Sequence, residues 1–97
     1  MASTINYLNY ILNQLSDLDN ITYKKMMGEF LLYYDGILIG GIYDDRFLIK
    51  KTKSNEAYNL KDEVPYDGAK SMWLVSNIDD KKETENLVLN AYNDLLK

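Results

Sequence analysis

The strongest constraint on the fold is the stretch FLLYYDGILIGGIY at residues 30–43. Asp35 and Gly36 separate two runs rich in aromatic and branched side chains. Asp-Gly at that place signals a tight β-hairpin, because the favoured two-residue turn needs positive φ at both central residues. Asp44 and Asp45 turn the chain again, and RFLIK at 46–50 supplies the next strand. Upstream, ITYKKMM from Ile21 favours an extended chain through its β-branched and aromatic residues. Gly28 is the expected backbone break before the next strand, with Met26 or Met27 anchoring beneath it. A three- or four-stranded antiparallel meander follows.

Strands 30–34 and 37–42 are apolar on both faces. Phe30, Leu32 and Tyr34 point one way, Leu31 and Tyr33 the other. An antiparallel sheet with one wet face would alternate apolar and polar. Both faces therefore need cover: terminal helices on one, and on the other either the middle segment or a second copy. Gly40 and Gly41 inside a strand predict a bulge or a close backbone approach.

The flanks are helical. Ile5, Leu8, Leu12 and Leu15 recur at three- and four-residue spacing, with Ile11 and Leu18 widening the stripe, Ser3 or Thr4 as N-cap, and the polar pair Asp19 and Asn20 as the stop. Ser54 can cap a short helix within 53–62. EVPYDGAK, with the single proline Pro65 and a second Asp-Gly, reads as a turn or ordered loop. SMWLV at 71–75 is a further strand. Asp79 or Asp80 opens the last helix, and Asp80 with Glu83 has capping-box spacing. Thr84, Val88, Ala91, Tyr92 and Leu95 form its apolar stripe, and Lys97 suits its C-terminus. The 97 residues make one domain. The expected fold is α+β: a two-layer sandwich with an antiparallel sheet of about four to five strands, flanked by N- and C-terminal helices on one face.

The residues missing from the chain bound its chemistry. It has no cysteine and no histidine. That removes disulfides, thiolate catalysis, Cys- and His-based metal sites and the His-activated nucleophiles. An enzyme would have to work with carboxylates, Lys, Tyr, Ser and Thr, and no catalytic motif or phosphate-loop pattern is present. No metal or cofactor is expected. The net charge of −4 disfavours direct nucleic-acid binding. MASTINY lacks the basic and apolar regions of a signal peptide, and no apolar run reaches the roughly 20 residues of a membrane span, so the expected compartment is the cytoplasm and no membrane contact is expected.

Three groups of side chains carry candidate chemistry. In YDDRFLIK, Tyr43, Asp44, Asp45, Arg46 and Lys50 concentrate polar groups; the acidic pair could bind a cation, but a hairpin turn neutralised by Arg46 is the plainer reading. Lys24, Lys25, Arg46, Lys50, Lys51 and Lys53 form a basic subset that could hold an anion or simply solvate sheet edges. Met26, Met27, Met72 and Trp73 could line a pocket rimmed by Tyr66, Asp67, Gly68 and Lys70, or could fill the core.

YKKMMGEFLLYYDGILIGGIYDDRFLIKKT together with PYDGAKSMWLV resembles the N-terminal domain of the TfoX/Sxy family of bacterial competence regulators. The resemblance spans nearly the whole chain and lies in the combination of K-M-x-G-E, Y-Y-D-G, G-G-I-Y-D-D-R, L-I-K and P-Y-D-G-A-K. It implies a two-layer fold similar in outline to YjbR-like and secretion chaperone-like domains. It also implies residues 1–97 as a single N-terminal-like domain, without the helical C-terminal domain of larger relatives. Where many relatives have proline after Gly-Ala-Lys, Ser71 stands here, a change expected to loosen the loop. Larger relatives regulate competence genes and are linked to the cyclic-AMP receptor protein, so the resemblance implies a non-enzymatic regulatory or protein-interaction module in a transcription-regulation context. A protein partner, such as a transcription regulator, is expected, and a homodimer through the open sheet face at Leu31, Tyr33 and Leu38. The alternative is a small-molecule or anion-binding domain with a pocket lined by Met and Lys, Arg and Tyr. The candidate ligand- or partner-binding residues are Lys24, Glu29, Tyr43, Asp44, Asp45, Arg46, Lys50, Tyr66 and Lys70.

Overall fold

The computed structural model describes residues 3–96. Helix α1 (Ile5–Gln14) leads into strands β1 (Ile21–Met26), β2 (Glu29–Tyr34), β3 (Ile37–Ile42) and β4 (Phe47–Ile49). A 3-10 turn (Lys53–Tyr58), strands β5 (Lys61–Glu63) and β6 (Met72–Leu74), and helix α2 (Lys81–Leu95) complete the chain. The strands form one antiparallel sheet of six, in the order β1-β2-β3-β4-β6-β5. The fold is α+β, as the sequence predicts. The extra strand is β5, whose KDE has no apolar signal; its pairing with β6 makes it a strand.

Three two-residue turns join the first four strands. Asp35 (φ 51°) with Gly36 (φ 82°) and Met27 (φ 51°) with Gly28 (φ 83°) both carry the positive φ pair that fits the twist of a hairpin. Asp44 (φ 53°) and Asp45 (φ 54°) do the same without a glycine. Tyr43 and Arg46 close that third turn with mutual backbone bonds of 2.9 and 3.0 Å. Gly28 is thus the break between β1 and β2. The anchoring expected of Met26 and Met27 fails: Met27 occupies the hairpin tip and is 95% exposed, and Met26 is 39% exposed at the sheet's edge strand. Met27 belongs to the turn itself, at positive φ, and so lies beyond the paired strands whose inner face the helices cover.

Pairing of β2 with β3 shifts between Leu32 and Tyr33, whose partners are Gly40 and Leu38. Ile39 is the extra residue of this β-bulge. A Cβ on Gly40 would lie 2.2 Å from the Leu48 carbonyl oxygen, and one on Gly41 would lie 2.6 Å from the Phe30 oxygen. Both glycines are required by close backbone approach.

The core lies between the sheet and the two helices. Phe30, Leu32, Ile39, Ile42, Phe47 and Ile49 of the sheet pack with Leu8, Ile11 and Leu15 of the first helical region and Leu87 and Val88 of α2. Thr4 caps α1, accepting from the Tyr7 N–H at 3.1 Å, and Asp80 caps α2, accepting from the Glu83 N–H at 3.0 Å. The 3-10 turn is not capped by Ser54, which instead donates through Oγ to Asp94 of α2 at 2.7 Å. The expectation for Lys97 lies outside the described residues. No helix among the described residues is long and apolar enough to cross a membrane.

Candidate functional site

Strand alternation places Leu31, Tyr33, Leu38, Gly41 and Leu48 on the sheet face away from the helices. Leu48 is fully buried there, so part of this outer face is covered. The cover is the middle segment. Residues 65–71 fold across the sheet, and Tyr66 sets its ring 6.2 Å from that of Tyr43 at a tilt of 52°. Tyr43 itself crosses back over Gly41, whose missing Cβ makes room for the ring. Burial, with Tyr66 and Glu29 nearby, raises the Tyr43 hydroxyl above the ordinary tyrosine range.

Between the segment and the sheet lies a cleft of about 440 Å³. Its apolar wall includes Leu38, Tyr43, Pro65, Tyr66 and Met72; its polar groups are Lys50, Lys51, Lys70 and Ser71. Among the described residues no carboxylate lines it. Lys51 is held in place, donating to Asp62 at 2.7 Å and to Ser71 Oγ at 2.8 Å. Ser71, at the position where the resemblance leads one to expect proline, therefore ties the segment to the sheet rather than loosening the loop as expected, because its hydroxyl accepts from Lys51. Asp62 also accepts from the Trp73 indole at 3.1 Å, and the Lys51 bond holds its carboxyl below the usual range.

Of the nine candidate residues, Tyr43, Lys50, Tyr66 and Lys70 line this cleft. Arg46 braces its neighbourhood. It donates to Glu63 at 2.7 Å, to the Val64 carbonyl at 3.3 Å and to the Tyr43 carbonyl at 3.1 Å, joining the β3–β4 turn to β5 and the start of the covering segment. Lys61 and Arg46 together hold Glu63 below the usual carboxylate range.

The three acids go elsewhere. Glu29 accepts from the Ser3 N–H at 2.9 Å, from Ser3 Oγ at 2.6 Å and from the Asp44 N–H at 3.1 Å. Asp45 accepts from the Thr4 N–H at 2.8 Å, while its own N–H donates to Ser3 Oγ at 3.0 Å. Asp44 enters through its backbone. These bonds clamp the entry to α1 onto the two adjacent hairpin turns, and they satisfy the N–H groups of the two aspartates held at positive φ. Lys24 is exposed on the edge strand β1, which β2 separates from β3 and the cleft. The basic subset and the methionine group each contribute one further residue to the cleft, Lys51 and Met72. Pro65 carried no polar signal and was not legible as a site residue, and Leu38 was legible only as part of the open sheet face.

The hairpin series, the bulge with its glycine pair and the PYDGAK segment laid over the sheet run through the residues that a family model, the TfoX N-terminal domain, matches from 13 to 94. The chain belongs to the TfoX N-terminal domain family. It is also similar to an uncharacterized 12.7 kDa protein in the trpE 5′ region of Spirochaeta aurantia, at 29% identity over 80 residues, covering 80% of this chain and 70% of that protein. Both the clamp and the cleft of this TfoX N-terminal domain lie mainly within the matched span. Only Ser3 and Thr4 fall outside it.

Proposed function

We propose that this TfoX N-terminal domain is a non-enzymatic regulatory module that acts by binding proteins, in a transcription-regulation setting and in the cytoplasm. The observation that carries the reading is the strip of half-buried apolar side chains, Leu31, Tyr33 and Leu38, on the outer sheet face. The segment at 65–71 reaches the cleft side of Leu38, while Leu31 and Tyr33 do not line the cleft and stay partly exposed. A contiguous apolar strip on a sheet face is suited to a protein contact, and a second copy meeting it across a two-fold axis is the simplest occupant. Use of Glu29 and Asp45 as acceptors for backbone N–H groups supports a role without acid–base catalysis. The acidic net charge supports protein over DNA as the contacted molecule.

Complementation tests this. Removing the gene from its own cell should change transcript levels of a defined set of genes, and the parent chain should restore them while Leu31→Lys should not. Sedimentation should show a concentration-dependent dimer for the parent and a monomer for Leu31→Lys. Full complementation by a folded Leu31→Lys chain would refute the docking surface.

A further inference from the structure

We infer that the cleft under residues 65–71 is a binding site for a small organic anion, with an acidic group held by Lys50 and Lys70 and a flat apolar body held against Tyr66, Tyr43 and Met72. The inference goes beyond the docking strip and shares with it only Leu38.

Size comes first. A cleft of about 440 Å³ falls within the range of small-molecule sites, roughly 300–1,000 Å³. Such sites combine apolar walls with a few placed polar groups, and this one has that make-up. Charge then selects the ligand. The chain as a whole is at −4, yet the cleft's ionic side chains are all lysines. Lys51 is neutralised by Asp62, whereas Lys50 and Lys70 make no ion pair among the described residues. Two uncompensated cations beside low-dielectric walls concentrate anions at the mouth. The walls supply the rest. Tyr66 is 58% exposed, with its ring inclined toward that of the buried Tyr43, and a planar group can lie against it. Met72 offers a polarizable surface that adapts to a ring edge.

The site is also held open. Lys51 fastens the segment at Ser71, and Arg46 fastens it at the Val64 carbonyl, so both ends of the covering strap are tied to the sheet. A preformed cavity lowers the ordering cost of binding. Exposed lysines at a strand end otherwise serve to solvate an edge, but β4 and β6 are paired with each other, so Lys50 follows an interior strand.

The probes are phenyl phosphate and benzoate, with inorganic phosphate and phenol as half-ligand controls. Each is titrated at low salt into the isotope-labelled full chain and followed by amide shifts. At least one ring-bearing anion should saturate, moving the signals of Lys50, Tyr66 and residues 69–72, while both half-ligands bind about tenfold or more weakly. Whichever of the two anions binds better assigns the acid group as phosphate or carboxylate. Lys50→Met combined with Lys70→Met should weaken binding by about tenfold or more with the melting temperature kept. Leu31→Lys should bind as the parent does, so failure of the docking strip and failure of the cleft are distinguishable. Saturation by neither anion, shifts centred on Lys24 and Lys25, unchanged affinity in the double variant or loss of binding in Leu31→Lys would each overturn the inference.

Discussion

Replacing Gly40 by alanine should be among the most damaging single changes in this protein, although it adds one carbon. The added Cβ would lie 2.2 Å from the Leu48 carbonyl oxygen and 2.9 Å from the Ile49 Cα. Both are backbone atoms of β4, an interior strand paired on both sides, so neither can rotate away. Ordinary contact begins near 3.4 Å, so β3 and β4 must separate by about 1 Å at the bulge. Such overpacking costs about 1–3 kcal/mol. Separation also strains the Gly40–Ile49 pairing and the adjacent Lys50 N–H bond to the Ile39 carbonyl, now 3.0 Å. Each lost backbone bond adds about 0.5–1.5 kcal/mol. The expected total is about 2–5 kcal/mol, a large share of the roughly 5–15 kcal/mol that stabilises a domain. The melting temperature should fall by about 10–30 °C. Urea unfolding followed by circular dichroism measures this. Gly36→Ala is the control. It has open space around the new Cβ but φ at +82°, so it should lose only the about 1 kcal/mol of a left-handed backbone. If Gly40→Ala costs no more than Gly36→Ala, the close-approach argument is wrong.

Asp62 and Glu63 are held below the usual carboxylate range, chiefly by hydrogen bonds from Lys51 and Lys61 respectively. Depressed folded values mean that their stabilisation is present above the ordinary carboxylate range and is lost as pH falls through the lower folded values. Lys51→Met should therefore flatten the acid limb of a stability–pH curve, and a curve parallel to the parent would refute the link. Asp45→Ala should cost about 1–2 kcal/mol by releasing the Thr4 N–H, while Asp45→Gly should cost about 1 kcal/mol less because it relieves the positive φ; chemical denaturation of the pair decides. Phe47→Ala, fully buried on the helix side, should cost about 3–5 kcal/mol in the same assay. In a spectrophotometric titration, Tyr43 should ionise late together with Tyr7, Tyr10 and Tyr92, and this late fraction should shrink by one tyrosine in Tyr43→Phe.

The turns and caps were legible in the sequence because each rests on contacts within four residues. Asp35 and Gly36 specify a hairpin by what their own backbones allow, and Thr4 and Asp80 cap helices by reaching three residues ahead. The doubly apolar strands 30–34 and 37–42 likewise announced that both sheet faces need cover, and the glycine pair announced the bulge and the close backbone approach. Which element covers the outer face was a tertiary decision. The cleft joins Leu38 and Lys50 to Tyr66 and Met72 across intervening chain, and the sheet order that seats β6 between β4 and β5 has no local signature. The same holds for residues 24–30, KKMMGEF. Its composition allowed Glu29 and the lysines to be site residues and the methionines to be anchors. Folding instead placed Met27 at a bare hairpin tip and brought Ser3 and Asp44 to the Glu29 carboxylate over separations of 26 and 15 residues. Local backbone preference writes turns and caps into the sequence. Partners for a charged side chain depend on which distant donors the packed sheet delivers.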